Sequence, residues 1–232
     1  MPRELDAPLS TEEVRAIYDR IGRRYDLLRF AERAPNRWAL ARLAVQPGER
    51  VLEAGVGTGA VFVELARAAA PTARPIGEPN VSGLDASPEM LAVTRERIYA
   101  AHLDGVTDVR RGDVRALPYA DDSFDVVFCS YMLDLLPSSA IAVALAELRR
   151  VLRPGGRLAL VALSPGNTPF ARAFTAAYET LYRRRPNWLA GCRPIELAAY
   201  VTAAGFTIAA RREWFRGHPS EAVLALNPLA GQ

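Results

Sequence analysis

A glycine-rich turn between an apolar run and a helical pattern restricts the fold of this chain more than any other feature. The apolar run is Val51–Ala54, and Gly55, Gly57 and Gly59 follow it directly. A helical pattern of apolar residues then covers 61–70. Glycine lets the backbone turn tightly and approach a ligand, and the start of a helix offers free N–H groups and a positive dipole end. The sequence therefore predicts a strand–turn–helix unit that can bind a carboxylate or a phosphate.

The rest of the chain continues this alternation of short apolar runs and longer helical patterns. Such alternation is typical of βαβ units around a mostly parallel sheet. We predict an α/β fold, a three-layer α/β/α, Rossmann-like sandwich with a mostly parallel seven-stranded sheet whose last strand is antiparallel. The predicted strands cover 51–54, 81–85, 106–110, 125–130, 157–163, 206–212 and 222–226. Between them we predict helices over 61–70, 88–101, 138–152, 168–185 and 193–204, and a proline-rich loop over 71–80.

Two helical patterns precede the sandwich. The first follows Ser10, whose hydroxyl can cap a helix that has acidic residues in its first turn. The second covers 26–44. We predict a single domain of residues 1–232, in which a helical lid of residues 1–46 folds over the ligand and residues 47–232 form the Rossmann-like core.

The composition excludes several classes of protein. Of the 232 residues, 50% are hydrophobic and 24% are charged, and the formal net charge is +3. So small a basic excess is weak evidence for nucleic acid, and we expect no nucleic-acid partner. Cys129 and Cys192 form no CxxC pair, so we expect neither a disulfide framework nor a metal site. No apolar stretch approaches the ~20 residues of a membrane span, and residues 1–6 lack the apolar core of a signal peptide, so we expect a cytoplasmic protein.

Two acidic residues follow the next predicted strands and are candidates for binding a nucleoside. Asp85 ends the second strand, where a carboxylate can accept hydrogen bonds from two ribose hydroxyls, or can instead cap the helix that begins at Pro88. Asp113 follows the third strand, where it can accept from the exocyclic amine of adenine. At this point a nicotinamide dinucleotide fits the glycine turn and Asp85 equally well, and a nicotinamide-dependent oxidoreductase remains an alternative.

Four segments together resemble class I S-adenosylmethionine (SAM)-dependent methyltransferases. They are VLEAGVGTG at 51–59, GLDASPEML at 83–91, GDVRALPYADDSFDVV at 112–127 and RVLRPGGRL at 150–158, and they occur in the order and spacing of that family. The resemblance covers about residues 18–163. It implies the sandwich fold, SAM as the cofactor without a metal, and an enzyme that transfers a methyl group to a small-molecule acceptor. A non-catalytic SAM-binding module is a further alternative.

The resemblance also implies roles for individual residues. Gly55, Gly57 and Gly59 would surround the methionine portion of SAM, Glu53 would orient that loop or the amino group, and Asp85 would hold the ribose. The other implied contacts are Ala86 and Met90 on either side of the adenine, Asp113 and Val114 at its edge, and Ser130, Tyr131 and Leu133 toward the sulfonium and the acceptor.

The N-terminal segment is similar to that of ubiquinone/menaquinone biosynthesis C-methyltransferases and the related phospholipid N-methyltransferases. The similarity lies in Tyr18-Asp19 and Tyr25-Asp26, followed by Asn36-Arg37-Trp38. It implies that Tyr25 lines the cofactor cavity and that the acceptor is a lipophilic quinol, phenol or lipid. Contact with a membrane surface is a possible partner interaction of such an enzyme.

Two features of the predicted helix 168–185 bear on that acceptor. Three arginines at 183–185 end the helix, where cations complement its dipole, and an anionic lipid surface is the alternative explanation. Phe170, Phe174, Tyr178 and Tyr182 recur every four residues. We interpret them as core packing, with a wall or lid for a lipophilic acceptor as the alternative.

Methyl transfer needs a general base only if the acceptor must lose a proton. Our candidates for a catalytic side chain are Tyr25, Tyr131 and His218. His102 lies at a predicted helix end, and we interpret it as solvated.

Overall fold

The computed structural model describes residues 9–70, 79–215 and 217–229. The predicted loop at 71–80 lies largely outside the described residues, as do the N-terminal residues 1–6. Seven strands form one sheet: β1 Val51–Ala54, β2 Val81–Asp85, β3 Thr107–Arg111, β4 Phe124–Ser130, β5 Leu152–Leu163, β6 Thr207–Phe215 and β7 Pro219–Leu226. The helices are α1 Thr11–Ile21, α2 Tyr25–Leu28, α3 Arg33–Leu43, α4 Ala60–Ala69, α5 Pro88–Ala100, α6 Ser138–Val151, α7 Pro169–Arg184 and α8 Leu197–Ala203. Short 3-10 turns cover Gly22–Arg24, Leu133–Leu135 and Pro186–Leu189.

The sheet has the order β3-β2-β1-β4-β5-β7-β6. β1 pairs in parallel with β2 and β4, and β5 pairs in parallel with β4. β7 is antiparallel to both β5 and β6. The predicted α/β fold with a mostly parallel seven-stranded sheet is therefore confirmed, including the antiparallel last strand.

Alternate residues of the strands face two hydrophobic cores, as expected for a sheet that is covered on both faces. Val51 and Val126 pack with buried side chains of α3, α4 and α5, whereas Leu52 and Val127 pack with those of α6 and α8. The three layers place the carboxyl ends of β1, β2 and β4 at one edge, where the glycine turn lies.

The N-terminal segment differs from the prediction. The helix predicted over 26–44 is interrupted after α2 by a turn, and α3 begins only at Arg33. Pro35 lies in the first turn of α3, where its ring and missing N–H prevent the helix from continuing backward through Ala31. α3 packs against β5 and β7, so it belongs to a layer of the sandwich. Of the predicted lid, residues 11–32 cover the site described below, and we call them the roof.

Three other predictions concern two C-terminal helices and His102. The helix predicted over 168–185 is confirmed as α7, but the one predicted over 193–204 begins only at Leu197. The reason is Pro194, which disfavours helical backbone at the buried Arg193 before it. His102 is exposed, as interpreted, in the turn after α5. No described helix is long and apolar enough to cross a membrane.

Candidate functional site

One large cavity lies at the carboxyl ends of the central strands. It holds about 1020 Å³, including its open mouth. Its floor is formed by the ends of β1, β2 and β4 and by the loops that follow β1, β2 and β3. Its cover is the roof, which contributes Thr11, Val14, Arg15, Tyr18, Tyr25, Arg29 and Glu32. From the predicted site, the cavity brings together Tyr25, Glu53, Gly55, Gly57, Asp85, Ala86, Met90, Asp113, Val114, Ser130 and Tyr131.

The glycines of the turn have two different functions. Gly57 has φ 53°, and a Cβ on it would contact no protein atom within 4 Å, so its surface is open to the cavity. Gly59 has φ 78° and does not line the cavity. A Cβ on Gly59 would lie 2.8 Å from the side chain of Thr94, so this glycine allows α4 to pack closely on α5. The structure therefore does not place Gly59 on the wall of the cavity, and its contact with the ligand stays a prediction.

Asp85 connects the loop after β2 to the glycine turn. Its Oδ2 accepts from the Gly57 N–H at 2.8 Å, and its Oδ1 accepts from the Ser87 N–H at 2.9 Å. Ser87, rather than Asp85, caps α5, because its hydroxyl accepts from the Met90 N–H. Burial raises the pKa of Asp85 although these N–H bonds oppose the shift. Each carboxylate oxygen keeps a lone pair with which it can accept from a ligand hydroxyl.

Glu53 is a buried carboxylate in the wall of the cavity. Its residue is 2% exposed, and its Oε2 has no hydrogen-bond partner among the described residues. Burial raises the pKa of Glu53 well above its usual range, the charge of Asp85 adds to the shift, and Arg29 opposes it. An unpartnered buried carboxylate is costly, so this side chain fits a ligand that brings a positive charge or an N–H donor.

The side of the cavity predicted for adenine is mainly apolar. Met90 and Val114 are buried there, next to Ala86. Asp113 lines the same side, but Arg115 binds both of its oxygens, and that ion pair lowers the pKa of Asp113. Arg115 was not among the predicted site residues, although it lies only two residues from Asp113.

The loop after β4 carries only part of the predicted contacts. Ser130 and Tyr131 line the cavity, but Leu133 does not. Leu133 is 1% exposed and packs in the core with α6, so the structure does not bring it to the cavity. It begins a 3-10 turn that carries Leu135 and Leu136 to the cavity in its place.

The catalytic candidates Tyr131 and His218 are connected through Ser220, behind this loop. The Tyr131 hydroxyl donates to Ser220 Oγ at 2.9 Å, and Ser220 Oγ is 3.0 Å from His218 Nδ1. The His218 ring packs against the Tyr131 ring, 5.9 Å away between centroids, and does not line the cavity. Burial lowers the pKa of His218. The structure therefore does not place His218 where it could contact a ligand in the cavity.

The roof is attached to the floor by the aspartates of the two Tyr-Asp pairs. Asp19 Oδ1 accepts from Ser87 Oγ at 2.5 Å, and Asp26 Oδ1 accepts from Thr58 Oγ1 at 2.6 Å. Asp26 Oδ2 also accepts from Arg97 of α5 at 2.6 Å. Each aspartate thus binds the roof to a loop that lines the cavity.

The tyrosines of the same pairs form the inner surface of the roof. The Tyr18 and Tyr25 rings meet edge to face, with centroids 5.6 Å apart. The Tyr25 hydroxyl donates to Glu32 Oε1 at 2.7 Å, and Arg29 Nε donates to Glu32 Oε2 at 3.0 Å. Arg29 and Glu32 were not among the predicted site residues. Their spacing of four and seven residues from Tyr25, on the same stretch as the Tyr-Asp pairs, is the signal that could have indicated them.

Comparison with known proteins identifies close relatives in sequence. Residues 51–156 match the family model described as "Methyltransferase domain". The chain is 33% identical over 220 residues to a demethylmenaquinone methyltransferase of Mycobacterium sp. (strain KMS), covering 92% of this chain and 82% of the relative. It is 28% identical over 158 residues to the ubiquinone/menaquinone biosynthesis C-methyltransferase UbiE of Geotalea daltonii. That alignment covers 66% of this chain and 64% of the relative, which is less than two thirds of the relative's length.

Comparison with solved structures agrees on the fold. The crystal structure of a SAM-dependent methyltransferase from Aquifex aeolicus matches with a TM-score of 0.59 and 19% identity. The match covers 82% of this chain and 88% of that one. At this identity the likeness establishes a shared fold and nothing further about the ligand.

Proposed function

This chain belongs to the class I SAM-dependent methyltransferase family, and from that premise we propose that it transfers a methyl group from SAM to a lipophilic hydroxyaromatic acceptor of the quinol class. The observation that carries the proposal is the buried carboxylate of Glu53, which has an unpartnered oxygen and lies in the cavity beside the glycine turn. A cationic amino-acid ligand supplies what this carboxylate lacks, whereas the phosphates of a dinucleotide would add negative charge beside it.

The residues on the floor fit the parts of SAM. Glu53 would accept from the ammonium group, Asp85 from the ribose hydroxyls, and the open backbone at Gly57 would lie against the methionine portion. Met90 and Val114 would enclose the adenine. When bound, SAM supplies a methyl group that is already activated by the positive charge on sulfur. The contribution of the chain is to hold the acceptor in line with that methyl group and to exclude water, which can account for several kcal/mol of barrier reduction.

The acceptor class is inferred from the names of the relatives and from the character of the roof. Both relatives are named for quinone biosynthesis or for a demethylated quinone. Val14, Leu135 and Leu136 add apolar surface to the aromatic rings of Tyr18 and Tyr25. Such a lining suits a planar aromatic ring with an apolar substituent.

Exposed apolar side chains on the outside of the roof support contact with the lipid in which such an acceptor dissolves. Leu27 is 80% exposed and Phe30 is 66% exposed. Gly217 lies against Phe30, because a Cβ on it would be 3.6 Å from that ring. Phe215, two residues earlier, has its ring centroid 5.1 Å from that of Phe170, which is 70% exposed. We call Leu27, Phe30, Phe170 and Phe215 the outer apolar surface, and we propose that it touches a membrane surface.

Sedimentation with vesicles that contain anionic phospholipids tests this contact. We expect the wild-type chain to sediment with them and the double variant Phe30→Ser, Phe170→Ser to remain in the supernatant with its affinity for S-adenosylhomocysteine unchanged. Equal sedimentation of the two proteins, or none by the wild type, would exclude the surface as a lipid contact.

Calorimetry and a turnover assay test the reaction itself. We expect SAM and S-adenosylhomocysteine to bind at sub-millimolar concentration and NADH not to compete. With a short-chain 1,4-naphthoquinol that lacks a methyl group on the ring, we expect S-adenosylhomocysteine and methylated quinol in equal amounts. Binding of NADH in place of SAM would refute the cofactor assignment. Binding of SAM without turnover of any quinol, phenol or amine would favour a non-catalytic SAM-binding module.

A further inference from the structure

Three polar side chains of the roof form a cluster whose role is not explained by cofactor binding. Tyr25, Arg29 and Glu32 all line the cavity. One carboxylate oxygen of Glu32 accepts a hydrogen bond from the Tyr25 hydroxyl at 2.7 Å, and the other accepts from Arg29 Nε at 3.0 Å. The residue is 8% exposed. A carboxylate is thus held, largely out of water, in the wall that covers the cavity.

The directions of these hydrogen bonds limit what the cluster can do for a ligand. Tyr25 has one hydroxyl proton and donates it to Glu32, so toward a ligand the Tyr25 oxygen is an acceptor. Burial raises the pKa of Tyr25 well above its usual range, so the hydroxyl stays protonated. An ionised carboxylate also only accepts. The Tyr25–Glu32 pair therefore suits a ligand that brings an O–H group of its own.

The other carboxylates of the cavity lie on its floor, where we propose that the cofactor binds. Glu53, Asp85 and Asp113 lie at or after the ends of β1, β2 and β3, on the floor, and Asp113 is bound by Arg115. In the part of the chain that the structure describes, Glu32 is the one carboxylate that lines the cavity from the roof. It is therefore the carboxylate of the roof, whose aromatic and apolar lining we propose to hold the acceptor.

We propose that Glu32 accepts the hydroxyl proton of the acceptor while Tyr25 and Arg29 hold the carboxylate in place, an inference that rests on the proposed methyl transfer to a quinol. The acceptor O–H bond breaks, and a new O–H bond forms on the carboxylate. The electron pair left on the ring forms the bond from the ring carbon to the methyl carbon, and the sulfur–methyl bond breaks with its electrons on sulfur. The ring proton that the methyl group replaces then leaves, the ring oxygen is protonated again, and Glu32 returns to its ionised form.

The variant Glu32→Gln tests the proposal, because it keeps the size of the side chain and an oxygen that can accept from Tyr25. We expect kcat for a naphthoquinol to fall about 100-fold, which is at the lower end of what a general base contributes. KM and the affinity for S-adenosylhomocysteine should change less than about threefold. The matched control is Glu12→Gln, which removes an exposed carboxylate from α1 of the same roof and should leave kcat unchanged.

Acceptors of graded acidity separate proton transfer from a structural role. Fluorinated hydroquinones ionise more readily, so the loss in Glu32→Gln should shrink steadily along such a series. In the variant the rate should also rise in proportion to hydroxide concentration, because only acceptor that is already ionised would react. A loss that is equal for all acceptors, or a pH profile parallel to that of the wild type, overturns the role of Glu32.

The wild-type protein distinguishes this failure from failure of the proposed function. If the wild type binds SAM and methylates the quinols but Glu32→Gln does so equally well, only the assignment of Glu32 falls. If the wild type methylates none of them, the quinol class is wrong and the role of Glu32 falls with it. Circular dichroism and the S-adenosylhomocysteine affinity of the variant exclude misfolding as the cause of a lower rate.

Discussion

The floor and the roof of the cavity are built by different means. The floor is formed by loops that each follow a strand, and its central contact runs from the backbone N–H of Gly57 to the side chain of Asp85, at the end of the neighbouring parallel strand. The roof is held by bonds between two side chains, such as that from Thr58 to Asp26. A floor of this kind suits a cofactor of constant shape, whereas a roof held by a few side chains can differ between relatives with different acceptors.

We expect the largest effect on SAM affinity from a change at Glu53. This buried carboxylate on the floor favours ligand binding but lowers the stability of the unliganded protein. For Glu53→Gln we expect the affinity for SAM to fall about 100-fold, because a buried charge-assisted contact is lost. The unliganded variant should be at least as stable as the wild type, because an unpartnered buried carboxylate has been removed. Calorimetry and thermal unfolding without ligand measure the two effects. Glu64→Gln, an exposed change on α4, is the matched control.

The pH dependence of the same variant gives an independent check. The pKa of Glu53 is raised in the folded protein, so the folded state binds its proton more tightly than the unfolded state does. The free energy of unfolding should therefore fall as pH rises from the ordinary pKa of a glutamate toward the raised value. This fall should be smaller in Glu53→Gln. An unliganded variant less stable than the wild type at every pH would mean that Glu53 has a structural partner.

A change in the roof should lower SAM affinity less, by weakening the bonds that attach the roof to the floor. For Asp26→Asn we expect SAM affinity to fall about tenfold, because bonds from Thr58 and Arg97 are weakened together. Cleavage of the roof by a protease should become faster, and S-adenosylhomocysteine should protect the variant less than the wild type. An unchanged affinity with faster cleavage would show that the roof moves independently of the cofactor.

Asp26 also makes this attachment sensitive to pH. Although its partial burial acts in the opposite direction, the bonds from Thr58 and Arg97 lower the pKa of Asp26. The stabilisation is present above the ordinary pKa of an aspartate and is lost as pH falls through the lowered value. Protease cleavage of the wild-type roof should therefore accelerate in acid and approach the rate of Asp26→Asn, which should depend little on pH.

Most of the floor could be predicted from the sequence, because strand, turn and helix are determined by residues within one short segment. The glycine turn, Asp85 and the order of the signatures follow from local patterns that recur in the family. Leu133 lies away from the cavity because a 3-10 turn rotates it into the core, and the apolar letters LDLL do not specify that rotation. The close packing of Gly59 on α5 was not predicted, because its neighbour Thr94 is remote in sequence.

The roof was predicted only in outline, because its contacts depend on how distant segments meet. The Tyr-Asp pairs were recognised as a pattern, but nothing local indicates that Asp19 binds Ser87 or that Asp26 binds Thr58. Pro35 indicates a break before α3, but the helical spacing of the surrounding residues obscured this signal.

Within the glycine turn, Gly57 and Gly59 should differ in whether a change affects ligand binding or stability. In Gly59→Ala the new Cβ meets Thr94 at 2.8 Å, so we expect a loss of about 2 kcal/mol in the free energy of unfolding, with SAM affinity per folded molecule little changed. In Gly57→Ala the strain of a positive φ should cost about 1 kcal/mol, but the Cβ enters the cavity and SAM affinity should fall. Denaturant titration and calorimetry would show the two effects reversed if Gly59, rather than Gly57, contacts the ligand.

The smallest effect is expected for a hydroxyl that points away from the cavity, behind the loop after β4. Tyr131→Phe removes a hydroxyl that donates to Ser220 behind the cavity wall, and leaves the ring in place. The buried Ser220 oxygen still has His218 Nδ1 at 3.0 Å, so we expect a loss of about 1 kcal/mol in stability and less than a threefold change in kcat. Glu32→Gln, measured beside it, should be slower by a much larger factor. If Tyr131→Phe were instead the more damaging of the two, the acceptor would bind toward the loop after β4, and the proton would leave through Tyr131, Ser220 and His218 rather than through the roof.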